Sequence, residues 1–183
     1  MSADAVGWRR DDEGDGHSVG RLERTTAGWT AHGVEVLVGD GALACWFRID
    51  LTPDWRTLRA TARVLDAEGE REVLLEQADG AWSVDGTARD DLLGCVDVDV
   101  AATPLTNTFP IRRLSGLAAG ESSTVAVAWV EVPSLRVLRV EQTYERLGER
   151  RWRYGDPQHG AFVLEVDGEG VVERYEGFAV RVR

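Results

Sequence analysis

The sequence contains no lysine: its 21 basic residues are all arginine, set against 32 acidic ones for a net charge of −11 over 183 residues. That deficit of positive charge argues against a nucleic-acid partner, because neutralising phosphates needs a basic surface. It equally disfavours adsorption to anionic lipid headgroups. Cysteine is scarce too. Cys45 and Cys95 lie far apart in strand-like runs, which reads as two buried thiols in a reducing compartment. His17, His32 and His159 show no ligand-like spacing, so no metal site is expected. The motifs G-x-S-x-G, H-E-x-x-H and C-x-x-C are missing, and no cofactor is expected. No window approaches the ~18 apolar residues of a membrane helix, so stable membrane insertion is not expected. The opening Met1-Ser-Ala-Asp-Ala-Val-Gly-Trp has no basic or apolar leader pattern, and the expected location is cytoplasmic.

What is present is β-structure. The apolar fraction is 43%, with seven Trp, and the length suits a single domain over residues 1–183 with a core that needs no disulfide. Residues 43–51 alternate, with Leu43, Cys45, Phe47 and Ile49 on one face and Ala44, Trp46, Arg48 and Asp50 on the other. The run 135–147 places Leu138, Val140, Gln142 and Tyr144 together. Further strands are expected at 34–38, 55–65, 72–77, 94–100, 125–132, 161–166, 171–175 and 178–182, since a period of two marks strands. Gly39-Asp40-Gly41, Pro53-Asp54, Glu68-Gly69, Asp79-Gly80, Pro133-Ser134 and Asp167-Gly168 separate these runs with turn chemistry. Links so short join antiparallel neighbours. The expected fold is all-β: an antiparallel up-and-down meander of about ten strands forming a curved sheet or an incompletely closed barrel. One helical turn is expected near 88–93 and another near Pro110, with Pro110 in the first helical position. Residues 1–18, rich in Asp and Gly around Trp8, are expected to be the flexible part.

A curled meander encloses either a packed core or an apolar hollow. A hollow suits an amphiphile, since burying each methylene contributes about 0.8 kcal/mol. The most distinctive stretch is 94–114, GCVDVDVAATPLTNTFPIRRL. Its strand places Asp97 and Asp99 on one face, roughly 6–7 Å apart along the backbone, where like charges need solvent or cationic partners such as Arg112 and Arg113. Beyond it, Pro104 and Pro110 forbid an interior strand. Thr106, Asn107 and Thr108 supply donors and acceptors for a lid or rim, or satisfy their own backbone in a tight connection.

The sequence Gly94-Cys-Val-Asp-Val-Asp, followed by Thr103-Pro104, Thr106-Asn107-Thr108 and Pro110-Ile111-Arg112-Arg113-Leu114, resembles the signature of the "putative glycolipid-binding" family of bacterial proteins. Gly33-Val34-Glu35, Trp55, Asp79-Gly80-Ala81-Trp82, Pro133-Ser134-Leu135, Gln142 with Tyr144, and Val166-Asp167 fit the same pattern, so the likeness covers residues 29–178. One departure is that Leu105 and Phe109 exchange the expected aromatic and aliphatic positions. The resemblance implies a curved, incompletely closed barrel similar to lipoprotein-carrier folds and a glycolipid or other amphiphilic ligand. On the binding reading, Trp46 and Trp129 line the hollow and Asp97, Asp99, Asn107, Arg112 and Arg113 hold polar headgroup atoms, with Gln142 and Tyr144 beside them. Two alternatives stand next to it. A hydrolase would use Asp97 and Asp99 as its acid–base pair, although such carboxylates normally flank the bond rather than lie along one strand. A protein-interaction module would pair through open sheet edges, and the chain is expected to be a monomer or a homodimer.

Overall fold

The computed structural model describes residues 5–12, 15–39, 41–101 and 103–182. Among these the chain forms fifteen strands: β1 (Val6–Arg10), β2 (Asp15–Arg24), β3 (Trp29–Val38), β4 (Leu43–Leu51), β5 (Thr57–Asp66), β6 (Gly69–Ala78), β7 (Ala81–Val84), β8 (Thr87–Ala88), β9 (Asp97–Val100), β10 (Ser122–Val130), β11 (Val137–Arg146), β12 (Arg151–Asp156), β13 (Gly160–Val166), β14 (Val172–Tyr175) and β15 (Ala179–Val182). A short 3-10 turn (Asp90–Leu92) precedes β9, and a second (Leu105–Asn107) leads into the single helix α1 (Thr108–Arg113). Pro110 is the third residue of α1 rather than the first. It is still tolerated there, because N–H groups of the first turn have no intrahelical partner. No helix among the described residues is long and apolar enough to cross a membrane.

All fifteen strands belong to one sheet. Its order runs from β8 back through β1, crosses to β15, and returns through β14 to β9. The two ends of the chain therefore meet in the middle of the sheet, where β1 pairs β15 antiparallel. Tight hairpins drive each half. Asp79-Gly80 and Asp85-Gly86 each join two strands with positive φ at both residues, the primed turn whose twist matches that of the flanking strands. The sheet is all-β and curved, and its edges β8 and β9 form no ladder with each other. Instead, the Thr57 N–H donates to Val96 O at 3.1 Å, and the Val98 N–H donates to Thr57 Oγ1 at 3.0 Å.

Further expectations change. The strand count exceeds ten. One pair, β9 with β10, is parallel, which is possible because the connection from residue 101 to 121 is long enough for a crossover. The N-terminal stretch that read as loose forms β1 and the start of β2. Trp8 is 1% exposed, and its Nε1–H donates to Val172 O at 2.7 Å. Residues 1–4, 13 and 14 of that stretch lie outside the described residues.

The crossover positions the site. Residues 103–111 are buried without a break, so the segment that read as a lid or rim is a plug. Leu105 and Phe109 pack into a core with Trp8, Phe47, Ile49 and Val98. Ile111 packs into a second core with Tyr144, Trp152, Tyr154 and Leu164. The apolar hollow expected from the meander is filled by the chain's own plug. Cys45 and Cys95 are free, buried thiols, which burial raises to about 12 and about 11.

Candidate functional site

Strand β9 aims two carboxylates along one face, and the plug meets both. Arg113, the last residue of α1, grips Asp97 with both Nη atoms, Nη1 lying 2.7 Å from Oδ1. It also donates to Trp55 O at 3.0 Å. The side chains are only 2% and 15% exposed for Asp97 and Arg113. Burial raises the Asp97 carboxyl above its ordinary range, and the guanidinium opposes that rise. Two residues on, Asp99 has different partners. The Thr106 hydroxyl donates to Oδ1 at 2.6 Å and Gln142 Nε2 to Oδ2 at 2.5 Å. Burial raises Asp99 as well, while these neutral donors hold it back.

Behind Gln142, the Tyr144 hydroxyl lies 3.2 Å from Gln142 Oε1 and 3.3 Å from Asn107 Oδ1. Tyr144 is fully buried, and desolvation pushes its phenol well above the usual value. Thus Asp99, Asn107, Gln142 and Tyr144, expected to share a role, form one connected polar cluster.

Two members of this cluster, Asp99 and Asn107, form the floor of an open cleft of about 440 Å³ at one end of the barrel, which Trp129 also lines. Part of its wall is aromatic: Tyr154 and Tyr175 meet edge to face at 5.8 Å, and Phe178 lies 4.9 Å from Tyr175. At the rim, the turn between β12 and β13 is tied down by Asp156, whose Oδ1 accepts from the Gln158 and His159 N–H groups and faces His159 Nδ1 at 3.0 Å. Burial works to raise Asp156, but these donors and the His159 ring hold it below the ordinary carboxylate range. The His159 ring lies 6.0 Å from Trp129.

The other expected residues fall elsewhere. Arg112 is at the opposite end of the barrel, stacked 4.7 Å from the Trp55 ring and paired to Glu169 at 3.1 Å. It lines a smaller cleft of about 200 Å³ with Trp29 and Trp55. Trp46 does not face the interior. It is 43% exposed on the outer face of β4, because Cys45, Phe47 and Ile49 occupy the inner one. Alternation correctly separated the two faces of β4, but it carries no sign for which face is inside.

Among the cleft residues outside the expected set are Tyr154, Tyr175, Phe178 and Asp156. Trp152 and Tyr154 alternate through 151–156, a weak strand signal in six residues. Asp156-Pro157-Gln158-His159-Gly160 reads only as a turn, which it also is. A further carboxylate, Glu35 on β3, is fully buried, and neither oxygen has a hydrogen-bond partner among the described residues. Burial pushes it up to about 8, against weaker opposing effects of the Ser18 and Thr103 hydroxyls and of Arg10.

The chain matches the family model described as "putative glycolipid-binding" over residues 5–181. Its fold is similar to the crystal structure of a DUF1089 family protein from Pseudomonas aeruginosa, at 31% identity and TM-score 0.79, covering 90% of this chain and 92% of that one. It is also similar to a β-barrel-like protein of domain of unknown function DUF1849 from Brucella abortus, at 13% identity and TM-score 0.58, covering 97% and 92%. That second likeness is one of fold alone. No curated protein matches the chain.

Proposed function

The chain belongs to the "putative glycolipid-binding" family, and from that premise we propose that it binds the sugar headgroup of a glycolipid in the aromatic cleft and leaves the acyl chains outside the filled barrel. One observation carries this reading: an open cleft of about 440 Å³ sets aromatic rings opposite a carboxylate and an amide held in fixed positions. A sugar offers both surfaces such a cleft needs. Its C–H faces lie against rings, and its hydroxyls donate to carboxylate oxygens. The volume falls in the range of small-molecule sites, where fixed polar groups set the ligand's orientation and specificity. Asp99, Asn107 and Trp129 are the proposed contacts, Gln142 and Tyr144 hold them in place, and the Asp97–Arg113 pair seats the plug.

The acid–base reading of Asp97 and Asp99 is less well supported, since Arg113 takes up both oxygens of Asp97. The edge-pairing reading is also weaker: β8 has only two residues, and β9 is covered by Thr57. The test is titration of the purified protein with a short-chain glycoside below its micellar concentration, followed by tryptophan fluorescence and calorimetry, alongside native mass spectrometry for co-purified lipid. Saturable binding that Trp129→Ala weakens by about tenfold or more is expected, the size of a typical anchor residue. Absence of saturable binding, or binding unaffected by Trp129→Ala, overturns the proposal.

A further inference from the structure

Resting on that reading of the cleft, we infer that its preferred headgroup carries an ammonium group, as in an amino sugar, and that anionic headgroups such as uronates and phosphates are rejected. The cleft is lined by the carboxylates Asp12, Asp99, Glu131 and Asp156 and by two basic side chains, Arg10 and His159. Most of these charges are answered within the protein. Arg10 pairs with Asp12, Arg136 with Glu131 at 2.9 Å, and the His159 ring faces Asp156 at 3.0 Å.

Asp99 is the exception. Its oxygens receive an alcohol and an amide, and no Arg or His of the described residues forms an ion pair with it. Its neighbour on the strand shows the contrast, since Asp97 has a cation of its own in Arg113. The floor of the cleft thus presents a carboxylate that lacks a positive counterpart, and a ligand can supply one. A negative headgroup would instead meet Asp99 in a partly desolvated site where like charges repel strongly.

The wall points the same way. The π faces of Trp, Tyr and Phe attract cations, and rings gathered around a carboxylate suit an ammonium group. The protein already seats one cation there: the Arg10 guanidinium lies 4.2 Å from the centroid of the Phe178 ring. Trp129, Tyr154, Phe162 and Tyr175 complete the aromatic lining.

The experiment compares three octyl glycosides that differ at one position: glucoside, 2-amino-2-deoxyglucoside and glucuronide. Each is titrated calorimetrically near neutral pH, below its micellar concentration. The amino sugar is expected to bind ~tenfold or more tightly than the glucoside, and the glucuronide ~tenfold or more weakly, as one ion pair plus cation–π contact would give. In Asp99→Asn, an isosteric change that keeps an acceptor for Gln142, the ratio of amino sugar to glucoside should fall towards one. Equal binding of all three, a preference for the glucuronide, or an unchanged ratio in Asp99→Asn overturns the inference while leaving the headgroup site standing. If none of the three binds, the headgroup site itself falls and takes the inference with it.

Discussion

Replacing Glu35 with Gln should stabilise the protein at neutral pH, and by an amount that grows with pH. Glu35 is fully buried without a hydrogen-bond partner among the described residues, and its folded-state pKa is about 8 against an ordinary value of 4.5. Between those values the folded protein keeps a proton that the unfolded chain has released. Stability is therefore highest below the unfolded value and declines as pH rises through the folded one, at about 1.36 kcal/mol per unit for this one group. From 4.5 to pH 7 the loss reaches about 3 kcal/mol, and above pH ~8 it levels off. Gln cannot ionise, occupies the same volume, and offers an N–H₂ group to the Ser18 and Thr103 hydroxyls.

The expected result is that wild type and Glu35→Gln unfold at the same temperature near pH 4.5 and diverge above it. At pH 7 the variant should melt about 6–12 °C higher, the shift that 3 kcal/mol produces in a chain of this size. Other titrating groups are shared by both proteins and cancel in the difference. Melting curves that stay parallel from acid to mildly alkaline pH would refute the reasoning, because they would mean that Glu35 is charged in the fold and already compensated.

Arg113→Met should cost about 3–5 kcal/mol, since it leaves Asp97 buried without its cation, and adding Asp97→Asn should recover much of the loss in a thermal double-mutant cycle. Gly33→Ala places a Cβ 2.1 Å from the Phe47 ring. It should cost about 1–3 kcal/mol by overpacking, and combining it with Phe47→Leu should destabilise by less than the sum of the two in urea titration. Trp46→Ser, on the outer face, should change stability by less than about 0.5 kcal/mol and leave the glycoside titration unaltered.

The sequence carried the fold wherever apolar alternation was strong. Residues 43–51 were legible to the residue as β4, and Asp79-Gly80 announced its hairpin. β1 and β2 were missed for a physical reason. β1 is five residues long with Trp8 its one buried residue, and the inward positions of β2 hold Gly16, Ser18 and Gly20, small residues that make room for Trp8 and for Leu105, which lies 2.8 Å from where a Gly20 side chain would begin. Strands whose inner face is vacated for a neighbour's bulk lose the period-two signal that identifies them. The parallel β9–β10 pair was hidden because short turns dominate the chain, and the one long connection read as a surface loop. Of the site, Asp99, Asn107, Gln142 and Tyr144 were legible as a group. The aromatic wall was not, since its rings come from β12, β14 and the β14–β15 turn, and one ring per short strand leaves no local pattern.

The plug explains why the most distinctive stretch of sequence is also the most buried. Thr103, Thr106, Asn107 and Thr108 are polar side chains in the middle of the protein, and a buried polar group is costly unless it is satisfied. Two of them tie the segment to single partners outside it, since Thr106 donates to Asp99 and Asn107 accepts from Tyr144, while the Thr108 hydroxyl has no hydrogen-bond partner among the described residues. Arg113 then closes on Asp97. An all-apolar plug could slide or rotate within the barrel at little cost, whereas this one breaks several hydrogen bonds if it moves by one residue. The bonds that seat the plug also orient Asp99 and Asn107 at the floor of the cleft. Seating and recognition therefore depend on the same side chains, and the cleft is preformed because the barrel is filled.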